Sequence, residues 1–346
     1  MSPAIMCTFT SIVAISFLSH VYAQRAYYCT TPDFCDDGIQ VDPRIETPTK
    51  PPASCPAGYL ICLKPKCGVA AGNLQPDAKD GEATKGAFPW HAFLQNDAAK
   101  ANTANGYAGG GVLVDQEFVL TAAHKITNIT AVNVILGAHQ TTKAELDKCQ
   151  KFKVTSMYVH KNYNQSTLKD DIALLRLETN VNMGGNINLV CTPPADKDYQ
   201  NTKTECLVTG YGQQEFTDYN APTPFLKQVH LPIVDTKKDC EASYVKNLGP
   251  KASDLLDLKF ELCAGGGDQL DACTQDGGSP LVCPDAATKT FSVVGLVLWG
   301  KKCGQPGYYG VYANVPAYVK WITCTKDCML GKGDCSKCPA VQHPPK

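Results

Sequence analysis

The sequence lacks an excess of either charge. Lys and Arg number 32 against 33 Asp and Glu, a formal net charge of −1, which leaves no electrostatic case for nucleic acid or an anionic membrane as partner. It also lacks any long apolar run. The hydrophobic stretch Ile12 to Leu18, followed by Val21, Tyr22 and Ala23, is far shorter than the ~20 residues a bilayer span requires. Residues 1–23 therefore read as a secretory signal peptide cut ahead of Gln24, although no Lys or Arg precedes the apolar run. Cysteine, in contrast, is abundant. Eighteen cysteines, with Cys7 inside the signal, argue for an oxidising compartment in which disulfides persist. Two sequons, at Asn128 and Asn164, fit the same secreted setting and are candidate glycosylation sites. With 44% hydrophobic and 19% charged residues, the remainder reads as one large globular domain plus a small one.

Residues 24–67 are rich in Cys and Pro and poor in hydrophobic runs. The TPTKPPA stretch, Thr47 to Ala53, excludes helix and central strand because proline fixes φ and lacks the donor. A segment this short needs staples in place of a core. From residue 68 to 324 short β-type runs follow one another: Val112 to Leu120, Val132 to Leu136, Phe152 to Val159, Ile172 to Leu177, Leu226 to Val234 and Phe291 to Trp299. Separated by Gly, Asn, Asp and Pro clusters, they predict an all-β barrel architecture. Val315, Tyr318, Trp321 and Ile322 recur at helical spacing and predict a C-terminal helix packed on the body. Residues 325–346 form a tail in which Cys328, Cys335 and Cys338 follow Cys324. That spacing suits a disulfide knot in a secreted chain, with zinc as the alternative; the expectation is no metal and no cofactor, and the pairing stays open.

Five motifs occur in order: TAAHK with His124, DDIALL with Asp171, CLVTGYG from Cys206, DACTQDGGSPLVC from Asp271 to Cys283, and WGKKCGQPGYYGVY from Trp299. Together they resemble the trypsin family, whose segment DACQGDSGGPLVC aligns with Asp271 to Cys283 without a gap. The resemblance implies a double β-barrel with His124 as general base and Asp171 holding its tautomer. It places Gly277 where the family has its nucleophilic serine. Glycine has no side-chain atom with which to form an acyl-enzyme, and losing the triad serine alone is worth about six orders of magnitude in turnover in a well-studied case. Gln275 stands where the family has the glycine that presents an oxyanion donor, and removing one such donor costs on the order of 3 kcal/mol. Ser279 is the nearest hydroxyl, two residues out of register. Asp271 at the pocket base, with Gly300 and Gly310 on the walls, matches the trypsin-like specificity pattern. That pocket is either a relic or a receptor for a partner's Arg or Lys.

The resemblance further implies the bridges Cys67–Cys191, Cys206–Cys283, Cys240–Cys263 and Cys273–Cys303. Both ends of the bridge that flanks the histidine are missing, with Gly109 and Lys125 in their places. Nine other cysteines outside the signal, Cys29, Cys35, Cys55, Cys62, Cys149, Cys324, Cys328, Cys335 and Cys338, have no assigned partner, so at least one is free or joined to another chain. Activation in the family requires a new hydrophobic N-terminus. Here the matching stretch is DAKD, Asp77 to Asp80, so Asp276 lacks the amine it would pair with.

Residues Cys29 to Arg44 and Cys55 to Gly68 resemble a degenerate clip domain of arthropod immune protease homologs, best at Cys35, Asp36, Asp37 and Gly38; Leu63 stands where that family has a second cysteine beside Cys62. A plain stapled linker is the alternative. The chain is accordingly expected to be a secreted, non-catalytic serine protease homolog, extracellular in haemolymph, venom or saliva. It would regulate a proteolytic cascade by binding a cascade protease, a zymogen or prophenoloxidase, in prophenoloxidase activation and melanisation. The alternatives are a venom or salivary decoy that inhibits the cascade, a weak hydrolase using Ser279, and a structural or adhesive role.

Overall fold

The computed structural model describes residues 28–36, 55–62, 65–70, 74, 81–99, 104–200, 202–213, 222–267, 271–273 and 275–339. The signal segment, the TPTKPPA stretch and the DAKD stretch lie outside these. The first two strands, β1 (Tyr28–Thr30) and β2 (Leu60–Cys62), pair antiparallel. Bridges Cys29–Cys55 and Cys35–Cys62 staple them. Closing loops of 26 and 27 residues is worth about 3–4 kcal/mol each in the chain-entropy picture, which substitutes for a core. This small unit docks by backbone hydrogen bonds between Thr31 and Met183 and between Met183 and Cys29, with Phe34 buried.

Strands β3 (His91–Asn96), β4 (Tyr107–Asp115), β5 (Phe118–Thr121), β6 (Val132–Leu136), β7 (Gln150–Val159) and β8 (Ala173–Leu177) close a barrel in the order β3-β4-β5-β8-β7-β6. A second barrel, ordered β10-β11-β14-β13-β12-β9, is built from β9 (Glu205–Gly210), β10 (Lys227–Val234), β11 (Glu261–Gly265), β12 (Pro280–Asp285), β13 (Thr290–Gly300) and β14 (Tyr309–Asn314). Closure pairs every strand on both sides and removes the exposed edges that would invite aggregation. Trp90, Phe93 and Tyr211 are essentially inaccessible and pack in one core with Phe291.

The run Val112 to Leu120 is two strands rather than the single one expected. The chain reverses after Asp115, whose Oδ1 accepts a hydrogen bond from the Gln116 N–H at 2.7 Å, a turn-forming role typical of aspartate. Strands β3, β9, β11, β12 and β14 are not delimited by the sequence pattern. β3 and β11 are buried on both faces, so they carry no alternation to detect.

Among the described residues three α-helices complete the fold: α1 (Lys143–Leu146), α2 (Ala242–Leu248) and α3 (Val315–Met329). Helix α3 buries Val315, Tyr318, Trp321 and Ile322, the face expected from their spacing. It runs through residue 324 to Met329, so a boundary drawn there cuts a continuous helix and is corrected. Bridges Cys324–Cys338 and Cys328–Cys335 fold the tail back on α3. The tail then lies against the first barrel: Tyr158 Oη donates to the Cys335 carbonyl at 3.0 Å, Lys161 Nζ donates to the Cys338 carbonyl at 3.2 Å, and Lys326 pairs with Asp115. The cysteine pairing accounts for these four residues without zinc, and no metal-binding cluster occurs among the described residues.

Candidate functional site

The site lies between the barrels, where β4 meets the segment before β12: the Gly110 N–H donates to the Gly277 carbonyl at 3.1 Å. His124 sits in the short turn Ala123–Lys125 after β5. Its Nδ1 lies 2.6 Å from Asp171 Oδ2, and its backbone N–H donates to Asp171 Oδ1 at 2.8 Å. Asp171 is buried, and both its carboxylate oxygens hold His124, Oδ2 at the imidazole and Oδ1 at the backbone N–H. Next to it, Asp170 adopts φ 50° and accepts from Tyr318 Oη at 3.0 Å. Helix α3 is thereby fastened to the turn that leads from the aspartate into β8.

Gly277 faces the free edge of this imidazole. A Cβ placed on it would come within 2.5 Å of His124 Nε2, 2.9 Å of His124 Cε1 and 2.8 Å of Lys125 Cδ. The arrangement offers a general base with a positioned proton path but no attacking group at its end. Ser279 does not supply one. It is fully buried, and a Cβ on Gly110 or on Gly210 would run into its Oγ. The hydroxyl is packed against the backbone of β4 and β9 instead of being presented in the cleft, which corrects the expectation that Ser279 is the alternative nucleophile. Gln275 has φ 75°, a left-handed conformation that an L side chain adopts only with strain.

Asp276 is buried beneath this turn. Its Oδ1 accepts from the Gly212 N–H at 2.7 Å and its Oδ2 from the Cys273 N–H at 3.0 Å. Burial pushes its carboxyl up to about 6, against the pull of those two N–H groups and of the Lys125 ammonium. Asp271 is pushed up to about 7, again mainly by burial. It lies below β14, where a Cβ on Gly310 would approach Asp271 Oδ1 to 2.8 Å. Gly300 pairs with Gly310 across β13 and β14. The opening is a cavity of about 200 Å³ lined by His124, Lys125, Gln275, Gly277, Trp299 and Gly310, among others.

Sulfur bridges join Cys67–Cys191, Cys206–Cys283, Cys240–Cys263 and Cys273–Cys303. Cys149 is the one thiol outside a bridge among the described residues. Burial, with the nearby Glu145, raises it to about 11, which disfavours its thiolate at neutral pH. Asn128 and Asn164 are both exposed, and Asn164 Oδ1 accepts from the Ser166 and Thr167 N–H groups. No described helix is long and apolar enough to cross a membrane. The importance of Lys125 is not legible in the sequence; the available signal is a long cation at one end of the missing bridge and glycine at the other.

A family profile described as Trypsin matches residues 79–322. The chain is 35% identical over 326 residues to "Inactive CLIP domain-containing serine protease A3" of Aedes aegypti, covering 86% of this chain and 65%, just under two thirds, of that protein. It is 35% identical over 264 residues to "Phenoloxidase-activating factor 2" of Galleria mellonella, covering 74% of this chain and 84% of that one. It is 32% identical to "Inactive CLIP domain-containing serine protease A8" of Anopheles gambiae over 76% of this chain and 72% of that protein.

Proposed function

Because the chain belongs to the trypsin family, within its arthropod clip-domain serine protease homologs, we propose that it is a non-catalytic homolog that regulates an extracellular proteolytic cascade by binding. The observation that carries this reading is the pairing of an intact His124–Asp171 dyad with Gly277, which has no side chain to activate. Two relatives bearing the word inactive in their names support the same reading.

A third relative is named for activating phenoloxidase. We extend that to this chain as the favoured process: promotion of prophenoloxidase activation and melanisation from an extracellular fluid such as haemolymph. The partner would be a cascade protease, a zymogen or prophenoloxidase itself. The cavity walled by Gly300 and Gly310, beside Asp271, would receive a basic side chain from it. With a carboxyl raised to about 7, an entering Arg or Lys would draw Asp271 into its ionised form, and the ion pair would replace the water lost from both groups. Residues 24–67 would act as a degenerate clip module, and the chain from residue 68 to the end of α3 at Met329 as the protease-like body.

Two assays test this. An arginyl reporter substrate should show no turnover with the purified protein, before or after limited trypsin treatment; turnover above a heat-inactivated control would sink the non-catalytic reading. Added to haemolymph, the protein should accelerate melanisation. A slowing would instead identify a decoy, and no change would move the role to a surface or matrix.

A further inference from the structure

The serine position is not an empty berth. Gly277 is buried, and the atoms that cover it belong to His124 and Lys125. Lys125 also fills the other side of the gap: a Cβ on Gly109 would collide with Lys125 Cε and lie 2.8 Å from the Gly277 carbonyl. Two glycines from different barrels therefore bracket one lysine stem. We propose that Lys125 is a resident plug of the pseudo-active centre, its aliphatic stem occupying the space that Gly109 and Gly277 leave. The space beside Gly277 is then taken by the chain itself, next to the cavity that His124 and Gly277 still line.

Each part of the geometry has a physical reason. A lysine can bury four methylenes while its ammonium seeks polar company, and here the neighbouring charges are Asp276 and Asp171, with the amine's proton affinity lowered by burial. Those carboxylates make the half-buried cation tolerable. His124 cannot simply retreat to make room, because two hydrogen bonds to Asp171 hold it. Gly277 lies outside the left-handed φ region, so its backbone accepts any L residue and only the side-chain clash forbids one. Gly277→Ser by itself would add a hydroxyl to a space already filled. This inference stands on packing and goes beyond the binding reading.

The test is a set of thermal unfolding curves on the full mature chain. Gly277→Ala and Gly277→Ser should each lower the midpoint by about 5 °C, as expected for overpacking in a domain of this size. In a Lys125→Ala background the loss should be smaller by the share that the Lys125 Cδ contact contributes, the remainder being the contact with His124. In a Lys125→Met background, which keeps the stem and removes the charge, the full loss should persist. Gly277→Ala serves if the serine variant does not fold. The plug is overturned if the glycine substitutions lose nothing, if they lose the same in the Lys125→Ala background, or if Lys125→Met relieves them as well as Lys125→Ala does. Any of these would leave the non-catalytic reading standing, whereas turnover by the natural protein would remove that reading and leave the plug.

Discussion

At the residue scale the chain buries ionisable groups whose proton affinities set its response to pH. Burial raises Glu261 to about 8, Asp271 to about 7 and Asp276 to about 6. Each lies above the roughly 4 of an unfolded carboxyl, so the folded state binds more protons between the two values. The stability such a group contributes is fully present below the unfolded value and is lost as pH rises through the folded one. His91 works the other way: burial lowers it to about 3, and its contribution is lost as pH falls below about 6.5. Glu261 is the cleanest to isolate, since its titration lies above that of His91. Glu261→Gln should flatten the decline in melting temperature between about pH 6.5 and 9 relative to the natural protein; parallel curves would mean that Glu261 is not protonated in the fold. The motif order carries His124, Asp171 and Gly277 in the sequence itself. Lys125 is visible there only as an odd occupant of a cysteine position, because its neighbour Gly277 is brought to it by the packing of two barrels.

At the element scale a strand that alternates between a wet and a buried face is legible in the sequence, and continuous burial removes that alternation. β10 alternates and runs Lys227–Val234, within one residue of the run read from the sequence, whereas β11 is short, fully buried and ends in glycine; β6, buried throughout as well, is legible only as a short run rich in Val and Ile. Helix α3 is evident from its apolar spacing, but its length is not, since past Ile322 it is held by tail contacts and bridges instead of a core stripe. Those contacts make the tail part of the barrel's support. Replacing both Cys324 and Cys338 by Ser removes a closed loop of 14 residues and should destabilise by about 2–3 kcal/mol, seen as a drop of roughly 4–12 °C in the melting midpoint. An unchanged midpoint would show that the tail is held by its surface contacts alone.

At the scale of the whole molecule, one covalent link decides what proteolysis can release. Cys67–Cys191 ties the N-terminal unit to the body across 124 residues. A chain cut between Gly68 and Gly81 should therefore run as one band on a non-reducing gel and as two after reduction. Separation without reductant would mean that the link is not formed.

The order of motifs, the β-type alternation, the apolar face of α3 and the odd number of cysteines after residue 23 are properties of the chain's local order, and the amino-acid sequence determines them by itself. Which cysteine is left over, where Ser279 points, and what fills the gap beside Gly277 are not local properties. They depend on closure of two barrels that brings β4, the turn after β5 and the segment before β12 to one place, and no spacing along the chain encodes that proximity. Cys149 is left free because the eight remaining described cysteines found partners within the stapled unit and the tail. Ser279 is buried because β4 and β9 pass it with glycines. Lys125 fills the space beside Gly277 because packing brought two residues without side chains to either side of its stem.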